Sequence, residues 1–197
     1  AEEIRKVRVQ KKLPRNLLKE KEMNHFLETL SHFERGKTLK HRVFRYRVHV
    51  IAGVFLAGSC WAVVPYLNGK KLPFFFACGN DDLTQRKASK YLARVSFTGG
   101  ELGHVAGDYA YRKLGWRKVA VLAFDYGWGY EVTGGFQRVF EELGGRVIQK
   151  IWSPVNAADF GPYVASLKPE ADGILDVVTG AASIRLLGEM RKAGLLD

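Results

Sequence analysis

The sequence predicts an α/β fold in which parallel strands are covered by helices on both faces. Three observations predict it. From about residue 48 onward, short apolar runs alternate with amphipathic helical patterns, the arrangement of repeated βαβ units. Glycines close the helical patterns, as at Gly115, Gly144-Gly145 and Gly194. The run Lys118–Phe124 (KVAVLAF) is apolar beyond its first residue, as a strand buried on both faces must be. Of the 197 residues, 47% are hydrophobic and 26% charged. That composition supports a sizeable core and excludes a disordered, collagen-like or disulfide-dense chain.

The charge is uneven. The net charge of +11 suggests an anionic partner when taken for the whole chain. Residues 1–48, however, hold 14 Lys/Arg against 6 Asp/Glu, and residues 49–197 hold 17 against 14. Gly36 is the only glycine before residue 49, and no aspartate precedes Asp81. The basic character therefore belongs to the N-terminal quarter. There, Met23, Phe26, Leu27, Leu30 and Phe33 recur at helical spacing, which predicts a helix over about Leu17–Glu34 ended by Gly36. A basic nucleic-acid-binding arm led by Arg42, Arg45 and Arg47 is one alternative reading of this segment.

Val48–Leu67 carries no charge apart from His49 and follows a basic flank. Its length suits a transmembrane or signal segment, and Leu56-Ala57-Gly58-Ser59-Cys60 loosely resembles a lipoprotein cleavage box. A membrane-anchored lipoprotein or sensor is thus a second alternative. Gly53, Gly58, Ser59 and Pro65 dilute the run, and the favoured reading splits it into a strand Val48–Ala52 and a helix Ser59–Leu67. Further strands are expected at Leu72–Ala77, Leu92–Phe97, Lys118–Phe124, Arg146–Trp152 and Gly173–Val178. Helices are expected at Glu101–Leu114, Tyr130–Leu143, from an Asp159 cap to Lys168, and at Ala181–Ala193. The first of these carries Leu102, Val105, Ala106, Tyr109, Ala110 and Leu114 on one face, which reads as its buried side.

Parallel sheets bind ligands at the carboxyl ends of their strands. The loops to watch are therefore Gly53–Ser59, Cys78–Asp82, Asp125–Tyr130, Trp152–Asp159 and Thr179–Ser183. Asp125-Tyr126-Gly127-Trp128-Gly129 offers Gly-x-Gly between a strand and a helix, but Val132 stands where a dinucleotide loop needs its third glycine. Trp128 reads better as a flat apolar wall facing a ligand. Thr98-Gly99-Gly100-Glu101 reads as a hinge or connector. Cys60 and Cys78 cannot make a metal site by themselves, and their spacing leaves a disulfide open. No Gly-x-Ser-x-Gly, His-Glu-x-x-His or phosphate-binding loop occurs, and His104 has no nucleophile pattern around it. The residues point to a binder without metal or cofactor, and not to an enzyme.

Several stretches together resemble a known family. They are Val50-Ile51-Ala52-Gly53, Ala62-Val63-Val64-Pro65-Tyr66-Leu67-Asn68, Lys71-Leu72-Pro73-Phe74, Asp82-Leu83-Thr84-Gln85-Arg86-Lys87 and Tyr91-Leu92-Ala93-Arg94. Gly107-Asp108-Tyr109-Ala110-Tyr111, Leu114-Gly115-Trp116-Arg117-Lys118-Val119-Ala120-Val121, Gly144-Gly145 and Asp159-Phe160-Gly161-Pro162-Tyr163 continue the series. In order and spacing they resemble the periplasmic substrate-binding proteins of branched-chain amino-acid ABC transporters, over about residues 49–197. The resemblance implies a two-lobed, Venus-flytrap fold of parallel sheets flanked by helices, with residues 49–97 in lobe one and 98–197 forming a hinge crossing and part of lobe two. It implies an extracytoplasmic protein that closes on an amino acid or similar small carboxylate and works with a transporter permease, with no nucleic-acid partner.

The resemblance also implies site residues. Lobe one would hold the ligand carboxylate through Ala57-Gly58-Ser59 and Cys78-Gly79-Asn80. Lobe two would close with Tyr126 and Trp128 and with Thr179-Gly180. Ala57 stands where leucine-binding relatives often have serine, Trp128 is larger than the usual tyrosine, and Thr179-Gly180 replace an aromatic. Those departures weaken a leucine specificity and admit a planar or aromatic carboxylate. Both lobes are expected to be incomplete, and residues 1–48 are expected to be foreign to the family through a frameshift or a miscalled start.

Overall fold

The computed structural model describes residues 48–196, which form a compact unit. The helix expected over about Leu17–Glu34 lies outside the described residues. Two parallel sheets of three strands organise the rest. The first is ordered β1-β2-β3, from β1 (Ile51–Ala52), β2 (Phe74–Phe76) and β3 (Leu92–Arg94). Phe74 pairs with Ile51 on one side and Leu92 on the other. The second is ordered β5-β4-β6, from β4 (Lys118–Phe124), β5 (Arg146–Ser153) and β6 (Gly173–Val177). The connecting helices are α1 (Ala57–Gly69), α2 (Gly99–Arg112), α3 (Gly127–Glu142), the short α4 (Gly161–Ala165) and α5 (Ala181–Lys192).

The uncharged stretch Val48–Leu67 divides into strand and helix, as its glycines and proline predict. Pro65 lies inside α1, which is 13 residues long. Among the described residues no helix is long and apolar enough to cross a membrane. β1 begins at Ile51, later than expected, and ends at Ala52 as expected, where Gly53 (φ 122°) and Val54 (φ 63°) turn the chain out of extended backbone at once. The helix after Asp159 is also shorter than expected. Asp159 accepts from the Gly161 N–H at 2.8 Å, and the helix ends at Ala165.

β4 is the centre of the second core. Successive side chains on a strand point to opposite faces. Val119, Val121 and Ala123 therefore join Val132, Phe136 and Phe140 of α3 and Ala110 of α2. Leu122 and Phe124 meet Phe160, Val164, Leu186 and Met190 on the other side. Each of the fully buried Phe136 and Phe140 side chains stabilises the fold by roughly 1.5–3 kcal/mol relative to exposure. The Asp172 carboxylate accepts from the backbone N–H groups of Arg117 and Lys118, each at 2.7 Å, and so ties the chain before β6 to the start of β4. Those two bonds hold its carboxyl below the usual aspartate range.

The buried face of α2 is not the one its large apolar residues suggest. Leu102, Val105 and Tyr109 are exposed, Val105 by 71%. Gly99, Gly100, Gly103, Gly107 and Ala110 are buried instead. A Cβ built on Gly103 would lie 2.2 Å from the Val132 carbonyl oxygen, and one on Gly135 of α3 would lie 2.3 Å from that of Gly100. The two helices thus meet backbone to backbone, a separation that only glycine permits. Gly103→Ala and Gly135→Ala, made singly, should each destabilise the fold by about 1–3 kcal/mol or more through overpacking. Gly134→Ala, where a Cβ meets nothing within 4 Å, is the matched control. Denaturant unfolding checks the difference.

Candidate functional site

The expected loops emerge at the carboxyl ends of strands. In the first half, β1 leads through Gly53–Leu56 into the first turn of α1, where Ala57 is buried, Gly58 exposed and Ser59 half-buried. Val54 holds a left-handed backbone, which for a β-branched residue costs about 1–3 kcal/mol and must be imposed by its surroundings. Its carbonyl accepts from Ala77 N–H at 3.1 Å, fastening this turn to the end of β2. No side chain caps the N-terminus of α1, and its first turn holds no acidic residue.

β2 leads into Cys78-Gly79-Asn80, all three buried. Cys60 and Cys78 form a disulfide, so the two expected lobe-one segments are covalently joined. The Arg94 guanidinium donates to the carbonyls of Cys78 and Asn80, and to the Thr84 hydroxyl at 2.7 Å. Its burial lowers its pKa from the ordinary arginine value. Gly99 N–H donates to the Gly79 carbonyl at 2.8 Å, and Gly100 N–H to an Asp81 carboxylate oxygen at 3.2 Å. The paired glycines thus connect the first half to α2, and the capping box of Thr98 and Glu101 starts that helix between them.

In the second half, β4 ends in Phe124 and turns through Asp125 and Tyr126 into α3. Tyr126 is half-buried beside Thr179. Burial raises its phenol pKa, and the hydrogen bond with Thr179 offsets part of that rise. Thr179 and Gly180, both exposed, follow β6. Asp176 on β6 accepts from Val178 N–H at 2.7 Å and from the Ser183 hydroxyl at 3.0 Å, which braces this turn against α5. Trp128 on the first turn of α3 reaches across to the first half. Its indole lies on Gly79, and its ring centroid is 6.0 Å from that of Phe97. Among the expected residues, therefore, Trp128 meets Gly79 and Tyr126 meets Thr179, while Gly58 and Gly180 stay at the surface.

Residues 34–197 match the sequence model of the periplasmic binding protein family. The chain belongs to that family. The match begins at Glu34, ahead of the start near residue 49 that the motifs suggest. A Leu/Ile/Val-binding protein homologue of Brucella abortus is 29% identical over 126 residues, 64% of this chain and 32% of its own. The structure is similar to an ABC transporter substrate-binding protein from Sphaerobacter thermophilus, with a TM-score of 0.74 and 34% identity. That likeness covers 84% of this chain and 47% of the other. It is also similar to a solute-binding protein of an ABC transporter from Rhodopseudomonas palustris, in complex with 4-hydroxybenzoate, with a TM-score of 0.76 and 28% identity over 83% of this chain and 45% of that one. The chain thus spans a third to a half of the length of these relatives. They share its α/β architecture of parallel sheets flanked by helices.

Sequence reasoning missed the polar junction beneath Trp128. Glu131, on the next turn of α3, is half-buried against Gly99, and its Oε2 has no hydrogen-bond partner. The buried Asn80 is likewise left with a bare Oδ1. Burial, and then the nearby Asp81 and Asp82 carboxylates, push the Glu131 carboxyl up to about 7, against the pull of backbone and amide donors. The one available signal was the Gly99-Gly100 pair, which marks a close approach without naming its partner.

A carboxyl whose pKa rises on folding binds more protons in the folded state. Stability should therefore fall as pH rises between the ordinary glutamate value and about 7. Glu131→Gln should flatten that slope, measured as thermal midpoints across about pH 4 to 8, a range that brackets the shift.

Proposed function

We propose that the chain is part of the solute-binding component of an ABC importer and takes a small flat carboxylate, with an aromatic acid preferred to a branched-chain amino acid. The observation that carries this reading is the placement of Trp128, half-buried where it reaches from the second half onto Gly79, with Phe97 beside it. Aromatic rings offer a large apolar face to a flat partner at little entropic cost. The N–H groups at the uncapped start of α1, next to Ser59, suit a carboxylate. The relative crystallised with 4-hydroxybenzoate supports the same ligand class. The Cys60–Cys78 disulfide supports a periplasmic or extracellular setting, where such bonds persist. The function is capture by lobe closure and delivery to a membrane permease, with no bond made or broken.

Isothermal titration of the purified chain with benzoate, 4-hydroxybenzoate, leucine, isoleucine and valine tests the reading. Saturable binding of the aromatic acids, tighter than that of the aliphatic amino acids, is expected. A preference for leucine, isoleucine or valine would replace the proposed ligand, and binding of none of the five would overturn the solute class. Trp128→Ala should weaken the aromatic acids by about 1–3 kcal/mol, the scale of a lost buried aromatic contact.

A further inference from the structure

The position of the Trp128 indole is set by what Gly79 lacks. A Cβ built on Gly79 would lie 2.1 Å from Cζ3, 2.7 Å from Cε3 and 3.3 Å from Cη2 of the ring. The indole therefore rests directly on the backbone of the Cys78–Asn80 turn. That turn cannot readily withdraw. The disulfide ties Cys78 to α1, and Arg94 holds the carbonyls on either side of Gly79. The Gly79 carbonyl is itself held by Gly99 N–H at 2.8 Å. The start of α3 is equally fixed, because a Cβ on Gly129 would lie 2.0 Å from the Phe124 carbonyl oxygen. With both backbones pinned, the only part free to respond to a side chain at position 79 is the indole.

The consequence concerns what a ligand meets. In the family, the first-half turns are expected to offer hydroxyls and backbone donors. Here the indole covers the Gly79 part of that surface, Phe97 flanks it, and Trp128, partly packed against the core of the second half, keeps a minor part of its ring exposed. The surface presented at this point is aromatic. A flat ring can stack on the exposed part of it, whereas a branched aliphatic chain touches it at a few atoms.

We infer that Gly79 is a specificity-determining residue: by leaving room for the Trp128 indole on the Cys78–Asn80 turn, it gives the cleft an aromatic floor that selects ring-bearing carboxylates over branched aliphatic ones. This rests on the solute class proposed above. A side chain at position 79 expels the ring and removes the floor, so its effect on selectivity runs through Trp128.

The test compares wild type, Gly79→Ala, Trp128→Ala and the double variant in the full chain. Two readouts are taken: the thermal midpoint without ligand, and calorimetric affinity for 4-hydroxybenzoate and for leucine. Gly79→Ala should lower the 4-hydroxybenzoate affinity about tenfold or more, and shrink its ratio to leucine. It should lower the midpoint in the wild-type background. Added to Trp128→Ala, it should change neither readout further, because contacting residues couple. Additive effects, or an unchanged ligand ratio in Gly79→Ala, overturn the inference. If Gly79→Ala does not fold, folding of the double variant supports the coupling, and its failure to fold overturns it. If wild type binds neither probe, the solute class fails and with it the selectivity assigned to Gly79, while the midpoint cycle alone reports whether the ring depends on position 79.

Discussion

The backbone-on-backbone contact of α2 with α3 is the constraint on which the rest of this structure depends. Gly103 and Gly107 on one helix and Gly135 on the other let the axes approach until carbonyl oxygens occupy the space of absent methyl groups. That approach fixes α3 over β4, with Phe136 and Phe140 driven into the core. It fixes α2 just as firmly, and α2 begins at the glycine pair that leaves the first half of the molecule. The Gly99-Gly100 connector and the Tyr126–Trp128 turn are therefore positioned by a packing contact that starts at Gly100 itself and runs along both helices. A loop alone would not place an indole ring against a buried glycine, because loop backbone is the most easily displaced part of a fold.

Polar interactions play a different part. The ion pairs among the described residues, such as Arg112 with Asp108 and Arg138 with Glu142, lie one helical turn apart and are mostly exposed. Pairs of that kind contribute little. The half-buried groups are arranged for geometry. Arg94 spends its guanidinium on two carbonyls and a hydroxyl, so its charge fixes a turn and makes no direct bridge to Glu131. Asp81 is engaged by Gly100 N–H. Glu131 is left beside two carboxylates with an unpartnered oxygen, and its burial there pushes its carboxyl up to about 7. A junction built this way holds its shape through directional bonds while one of its members stays responsive to pH.

Most of the fold was legible in the sequence because its strands and helices obey simple periods. Lys118–Phe124 could be read to the residue, since a strand buried on both faces has no polar positions to blur its ends. The buried side of α2 could not. Leu102, Val105 and Tyr109 outweigh glycines on any scale of hydrophobicity, yet it is the glycine face that lies against the backbone of α3 while those three side chains stay exposed. The site was legible as a set of loops, because strand topology alone sends 57–59, 78–80, 126–128 and 179–180 to the carboxyl ends of the sheets. Which of them touch was not. The contact between Gly79 and Trp128, the Cys60–Cys78 bond and the crowding around Glu131 all join residues distant in sequence, and local patterns carry no term for them.

Two features that look independent in the sequence become one in the structure. The Cys78-Gly79-Asn80 turn carries no hydroxyl, and position 128 carries an oversized aromatic. On the proposed reading, the first taken singly would remove a ligand donor and the second would crowd a cleft. Together they exchange volume across the space between the two sheets: what the glycine gives up, the indole fills. A loss of polar surface on one side is matched by apolar surface from the other, with both backbones left where their hydrogen bonds and glycine contacts hold them. Such a paired change alters the chemistry at the contact. If the proposed ligand class holds, it would let a scaffold whose relatives include a Leu/Ile/Val-binding homologue and a hydroxybenzoate complex change its preference between aliphatic and aromatic solutes without moving its main chain.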